Sequence, residues 1–121
     1  MNVAYGCVLA AALLPYVFTG IAKWSGDFDN RVPREYLSRL GGYRQRAHWV
    51  QLNAFETFPA FAAGVIIALQ SGAPQARVDL LALGFVAARV VYGVCYLADL
   101  ATLRSLVWMA SMGIIVALFL A

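Results

Sequence analysis

Glu56 and Arg89 lie deep inside two long apolar stretches of this chain. Ionisable groups in such a setting are costly, face the interior of a helix bundle, and mark sites where a ligand, ion or substrate is handled. Each has polar company at helical spacing. Arg46, Trp49, Asn53 and Glu56 follow one another by three, four and three residues, as do Arg89, Tyr92, Tyr96 and Asp99. At 3.6 residues per turn, each set forms one stripe on one helix face. Together with Arg104, at the start of the next apolar stretch, they offer amide, phenol and guanidinium donors, a set suited to a small polar ligand carrying carboxylates. A plainer reading is a buried Glu56–Arg89 ion pair that only ties two helices together, worth about a kcal/mol. It explains two residues and leaves Asn53, Tyr92, Tyr96 and Arg104 without a purpose.

The elements that position these residues follow from composition. The chain has 121 residues, of which 63% are hydrophobic and 12% charged, with a mean hydropathy of +0.75. Soluble domains run near 45–50% apolar and about 25% charged. This balance excludes a disordered chain, a disulfide scaffold, a collagen-like fibre and a soluble nucleic-acid binder, despite the formal charge of +3. The expected architecture is an all-α membrane protein, a four-transmembrane-helix up-down bundle forming a single domain over residues 1–121. Its spans are Val3 to Ala22, about Ala47 to Leu69, about Val78 to Leu100, and about Thr102 to Ala121. Each is long enough for the roughly 30 Å hydrocarbon core at 1.5 Å per residue. The first has no basic n-region and exceeds a signal-peptide h-region, so it reads as a mature span.

Orientation follows from the nine basic residues. Lys23, Arg31, Arg34, Arg39, Arg44 and Arg46 lie in or beside the first loop, and Arg104 is on the same side. Only Arg77 lies opposite, and Arg89 is within a span. The positive-inside bias therefore puts both termini away from the cytoplasm. In the first loop, roughly Trp24 to Arg46, Asp27, Asp29 and Glu35 dilute the charge. Pro33 is expected to open a short helix through Leu40, with Gly41-Gly42 ending it. From these bounds Glu56 lies about 13 Å and Arg89 about 16 Å from the cytoplasmic helix ends, at similar depth. The polar groups form a funnel open to the cytoplasm, and the other halves of these helices are apolar.

Other residues read as structure. His48 is too isolated for a metal site. Cys7 and Cys95 sit in apolar surroundings and form no CxxC. Trp24, Trp49 and Trp108 read as interfacial anchors. Gly64, Gly84 and Gly93 permit close helix approach and make oligomerisation plausible.

The sequence resembles the MAPEG family, the membrane-associated proteins in eicosanoid and glutathione metabolism. The resemblance rests on Arg46-Ala47-His48, on Asn53-x-x-Glu56-x-x-Pro59-x-Phe61, on Ala88-Arg89-Val90-Val91-Tyr92-x-x-x-Tyr96-Leu97, and on Leu103-Arg104-Ser105. It implies a homotrimer with glutathione, as co-substrate, in a cytoplasm-facing cleft between neighbouring subunits. Asn53 and Glu56 match ligands of the glutathione backbone and amino group, and Arg89, Tyr92 and Tyr96 match third-helix positions. Arg104 matches an arginine near the glutathione sulfur, and Ser105 a serine that follows it. The implied activity is a glutathione-dependent membrane transferase or peroxidase acting on lipophilic electrophiles that arrive through the bilayer. A guanidinium beside the sulfur lowers the thiol pKa and stabilises the thiolate nucleophile.

Three departures are visible. Trp49 stands where glutathione-binding eukaryotic members usually have an arginine that grips a carboxylate, and Arg46 is the nearest substitute. The link from Tyr96 to Arg104 is one residue shorter than in the prostaglandin enzymes. Lys23 stands at the end of the first helix where some members have arginine, a weaker carboxylate clamp. Two other readings stay open at this point: a non-catalytic family member, and a small four-helix multidrug exporter using Glu56. The absence of an organellar presequence and the lean loops point to a bacterial inner membrane.

Overall fold

A computed structural model describes residues 1–24 and 31–121. Asp27 and Asp29, expected to dilute the first loop's charge, lie outside the described residues. The described chain forms α1 (Val3–Ala22), α2 (Pro33–Ser38), α3 (Gly42–Gln70), α4 (Gln75–Leu97) and α5 (Ala101–Leu120). The four long helices have the length and hydropathy of membrane spans. α3 and α4 pack against each other, with α1 and α5 each lying against both.

Helix ends are closed by specific groups. Asn2 Oδ1 accepts from the Tyr5 N–H at 2.8 Å, the side-chain cap that satisfies an orphan donor of the first turn. Asp79 Oδ1 accepts from the Ala4 N–H at 3.0 Å and from Gln75 Nε2 at 2.7 Å. This carboxylate near the start of α4 thereby ties the start of α1 to its neighbour, a role the apolar pattern does not reveal. At the opposite end, Arg44 Nε donates to the Ala22 carbonyl at 3.0 Å, and its Nη2 meets the Tyr36 hydroxyl. Arg46 donates through Nε and Nη2 to the Leu97 carbonyl, at 3.3 and 3.1 Å. Two arginines of α3 therefore close the C-terminal ends of α1 and α4, where unsatisfied carbonyls attract cations.

The helix boundaries differ from the expected ones, and the clamps explain the first difference. α3 begins at Gly42 rather than near Ala47, because Arg44 and Arg46 find partners on neighbouring helix ends and the helix continues beyond its apolar run. Gly41 and Gly42 open α3 instead of ending α2, with Gly41 as the N-cap and Gly42 at φ +62°. α2 stops at Ser38, buries Leu37, and packs it with Ala22 and Ala47. α4 ends at Leu97 rather than Leu100, since Asp99 adopts φ 60° in the turn before α5.

The larger core cluster joins α1, α3, α4 and α5 through Ala11, Phe61, Val65, Ala82, Phe85 and Leu118, among others. Phe61 and Phe85 are stacked with centroids 3.9 Å apart and planes 9° off parallel. Between membrane helices such packing, not release of water, supplies the attraction. The glycines serve this packing within the protomer. Gly93 receives the ring of Phe18 where a Cβ would stand, and Gly64 lies against Leu118 and Phe119. Gly93→Ala is accordingly expected to overpack the α1–α4 contact and cost about 1–3 kcal/mol. A thermal melt in detergent that matches wild type would show that Phe18 has room to move aside.

Candidate functional site

Depth along the helices and the face each side chain occupies together decide which polar residues meet. The Arg46–Leu97 bonds put those two residues at one level. From there Asn53 is seven residues along α3, roughly 10 Å, and Arg89 is eight back along α4, roughly 12 Å. Glu56 is ten residues along, roughly 15 Å, almost a turn deeper than Asn53. Arg89 is therefore opposite Asn53, and its Nη2 donates to Asn53 Oδ1. No ion pair joins Glu56 to Arg89 among the described residues: Glu56 faces outward from the protomer, exposed, while Arg89 is 3% exposed. The two are at similar depth, as expected, but they face different ways, and the ion-pair reading falls on that difference of helix face.

Arginines and aromatic rings alternate around this point. The Arg89 guanidinium lies 4.3 Å from the Tyr92 centroid, and Arg104 lies 4.5 Å from that of Tyr96. Tyr92 and Tyr96 meet edge to face at 5.7 Å, and Trp49 leans on Tyr96 at 6.2 Å. Cation–π contact of this kind holds a guanidinium in place without consuming its charge.

The tyrosines and Asn53 form a wall shared by two open lobes. One, of about 380 Å³, is lined by Trp49, Leu52, Asn53, Glu56, Tyr92 and Tyr96. The other, of about 410 Å³, is lined by Asn53, Tyr92, Tyr96, Arg104, Ser105, Trp108 and Met109. A carboxylate thus marks one lobe and a guanidinium the other. The stacked Phe61 and Phe85 lie deeper in the bundle than Glu56 and Arg89, so the polar groups do not continue as a path across the protomer.

Of the residues singled out by sequence, Asn53, Glu56, Tyr92, Tyr96, Arg104 and Ser105 line the lobes. Arg89 stands behind them. Arg46 is turned to the end of α4 and lines neither lobe, so its fork does not replace the charge missing at Trp49. Lys23, at the C-terminal end of α1, lines neither lobe of this chain. Trp49 and Trp108, read from sequence as interfacial anchors, are lobe walls. Leu52 and Met109 were not singled out at all. The signal for the α5 wall was present, because Trp108 and Met109 follow Arg104 and Ser105 by four residues each and share their face.

Behind the wall is a small cavity of about 10 Å³, between Ala11 and Leu14 of α1, Ala54, Thr57 and Phe58 of α3, and Phe85, Val86 and Arg89 of α4. Arg89 Nη1 is buried and has no hydrogen-bond partner.

Comparison with known proteins gives one finding. A family model described as the MAPEG family matches residues 3–121. No curated protein and no solved structure gives a significant match.

Proposed function

The chain belongs to the MAPEG family, and from that premise we propose that it is a glutathione-dependent membrane transferase or peroxidase acting on lipophilic electrophiles. The observation that carries this reading is the two-lobed cleft, with Glu56 in one lobe, Arg104 in the other, and Asn53, Tyr92 and Tyr96 between them. Glutathione is a zwitterion with a terminal amine, two carboxylates and a thiol, and the cleft offers opposite charges at its two ends. The amine belongs at Glu56, the backbone carbonyls and a carboxylate at Asn53 and the tyrosines, and the sulfur beside Arg104 and Ser105.

The chemistry then needs little more from the protein. Arg104 favours the thiolate by placing a fixed positive charge beside it. The sulfur lone pair forms a carbon–sulfur bond to an electrophilic carbon, the leaving group departs with the bonding pair, and the thiol proton passes to water. Where the leaving atom is an oxygen, as in an epoxide, Ser105 can donate to it as it takes the bonding pair. The acceptor reaches the sulfur from the bilayer over Trp108 and Met109, which form the apolar border of the Arg104 lobe.

Glu56 also bears on assembly. An exposed carboxylate within a span is unfavourable against lipid, and a neighbouring copy closing over the lobe relieves that cost. This supports the homotrimer with a cleft between subunits that the family resemblance implies. The basic end of the bundle, with Lys23, Arg44, Arg46 and Arg104, then faces the cytoplasm by the positive-inside rule, in a bacterial inner membrane.

Calorimetric titration of glutathione into the purified protein in detergent tests the reading, with Glu56→Gln alongside. Loss of the ammonium's charged partner is expected to weaken binding by roughly tenfold or more, since hydrogen bonds to charged groups are worth about 1.5–3 kcal/mol. Absence of binding to wild type at millimolar glutathione would overturn it.

A further inference from the structure

Arg89 matches a position where the family resemblance implies a glutathione contact, yet it stands behind the cleft. Its side chain is 3% exposed, it lines the small cavity behind the wall, and it reaches neither lobe. Its contacts are Asn53 Oδ1 in front and the face of Tyr92 beside it. We infer that Arg89 is a positioning residue, which locks the Asn53 amide with its oxygen inward and its two N–H donors toward the cleft.

The direction of the amide follows from chemistry. A guanidinium has five N–H donors and no acceptor, so only the oxygen of the asparagine amide can face it. An asparagine free to flip presents either a donor or an acceptor to a ligand. Asn53, held by Arg89, presents donors alone. Because Asn53 belongs to the wall common to both lobes, this fixes what the centre of the cleft selects: a carboxylate or carbonyl oxygen, not an amine or hydroxyl proton. Tyr92 is held in the same way, its ring pinned beneath the guanidinium. The ligand in this inference is that of the proposed function; the geometry stands independently of it.

Two measurements on the full chain in detergent decide it. Asn53→Asp keeps an oxygen for Arg89, now charged, and replaces the outward donors by a second acceptor. It is expected to melt at or above the wild-type temperature and to bind glutathione at least 30-fold more weakly. If Asn53→Asp binds as wild type does, the inference is overturned while the glutathione reading stands. The second measurement needs no glutathione. Phenylglyoxal, an arginine-selective dicarbonyl, is expected to modify Arg104, which is only partly buried and lines a lobe, and to spare Arg89 until the protein is unfolded. Modification of both at comparable rates, followed by peptide mass spectrometry, would overturn the inference whatever Asn53→Asp does. Should wild type bind no glutathione, the proposed function falls, and the labelling alone judges Arg89.

Discussion

Arg104→Ala is expected to slow thiol conjugation at pH 7 on the order of 10²-fold while leaving the dissociation constant for glutathione within a few-fold, as for removal of one preorganised charge at a reacting atom. Arg104 is well prepared for such a role. Its guanidinium is stacked on Tyr96 at 4.5 Å, lines a lobe beside Ser105, and is paired with no carboxylate among the described residues, so its charge is available to a ligand. A free thiol titrates near 8.5, so only a few per cent is thiolate at neutral pH. A cation beside the sulfur favours the charged form and moves that pKa down. With Arg104 present, the rate should rise through a pH well below 8.5 and then level off. In Arg104→Ala the same rise moves toward 8.5 or above, so the deficit is largest at low pH and shrinks as pH increases. Ultraviolet absorbance of the bound thiolate, followed against pH in both proteins, reads this directly. Superimposable titrations would remove Arg104 from the reaction.

Trp49→Arg is expected to work in the opposite direction, tightening glutathione binding by roughly 10–100-fold, as for a gain of about 1.5–3 kcal/mol from one charge-assisted bond. Trp49 lines the Glu56 lobe one turn from Asn53, and 41% of it is exposed. An arginine there is expected to point its fork at the carboxylate that Asn53 and the tyrosines now hold without a cation. Arg46 does not supply this fork, because its Nε and Nη2 are engaged by Leu97. An unchanged dissociation constant in Trp49→Arg would mean that no ligand carboxylate approaches this wall. Trp49→Ala separates the two contributions of the position, since it removes the packing on Tyr96 and adds no charge.

Much of this arrangement was legible in the sequence, because membrane helices advertise themselves locally. The Val3–Ala22 span is an unbroken apolar run and α1 coincides with it. The steps of three and four that link Asn53 with Glu56, and Tyr92 with Tyr96, are consequences of helix pitch alone, and these residues do share a cleft. What was not legible depends on contacts between elements. The start of α3 at Gly42 depends on Arg44 and Arg46 reaching Ala22 and Leu97, partners 22 and 51 residues away. Which residue of the α3 stripe turns toward Arg89 likewise depends on packing: Asn53 does, while Glu56 faces outward. Gly93 reads as a small residue suited to any close approach, and nothing in its neighbours names Phe18 as the ring that occupies the space. Asp79 sits among apolar residues with no periodic partner, since what it binds is the backbone of another helix.

The two lobes are built largely from different helices. Leu52 and Glu56 belong to α3, Ser105, Trp108 and Met109 to α5, and the α4 tyrosines with Asn53 form the border between them. Substitutions that share no partners combine nearly additively. Changes at Trp108 and Met109, the apolar border of the α5 face, should therefore alter which acceptor is taken up while leaving capture of the glutathione amine at Glu56 on α3 undisturbed. Such a scaffold can diversify its acceptors by drift along one helix, and a directed-evolution library confined to residues 108 and 109 is the economical way to retune it.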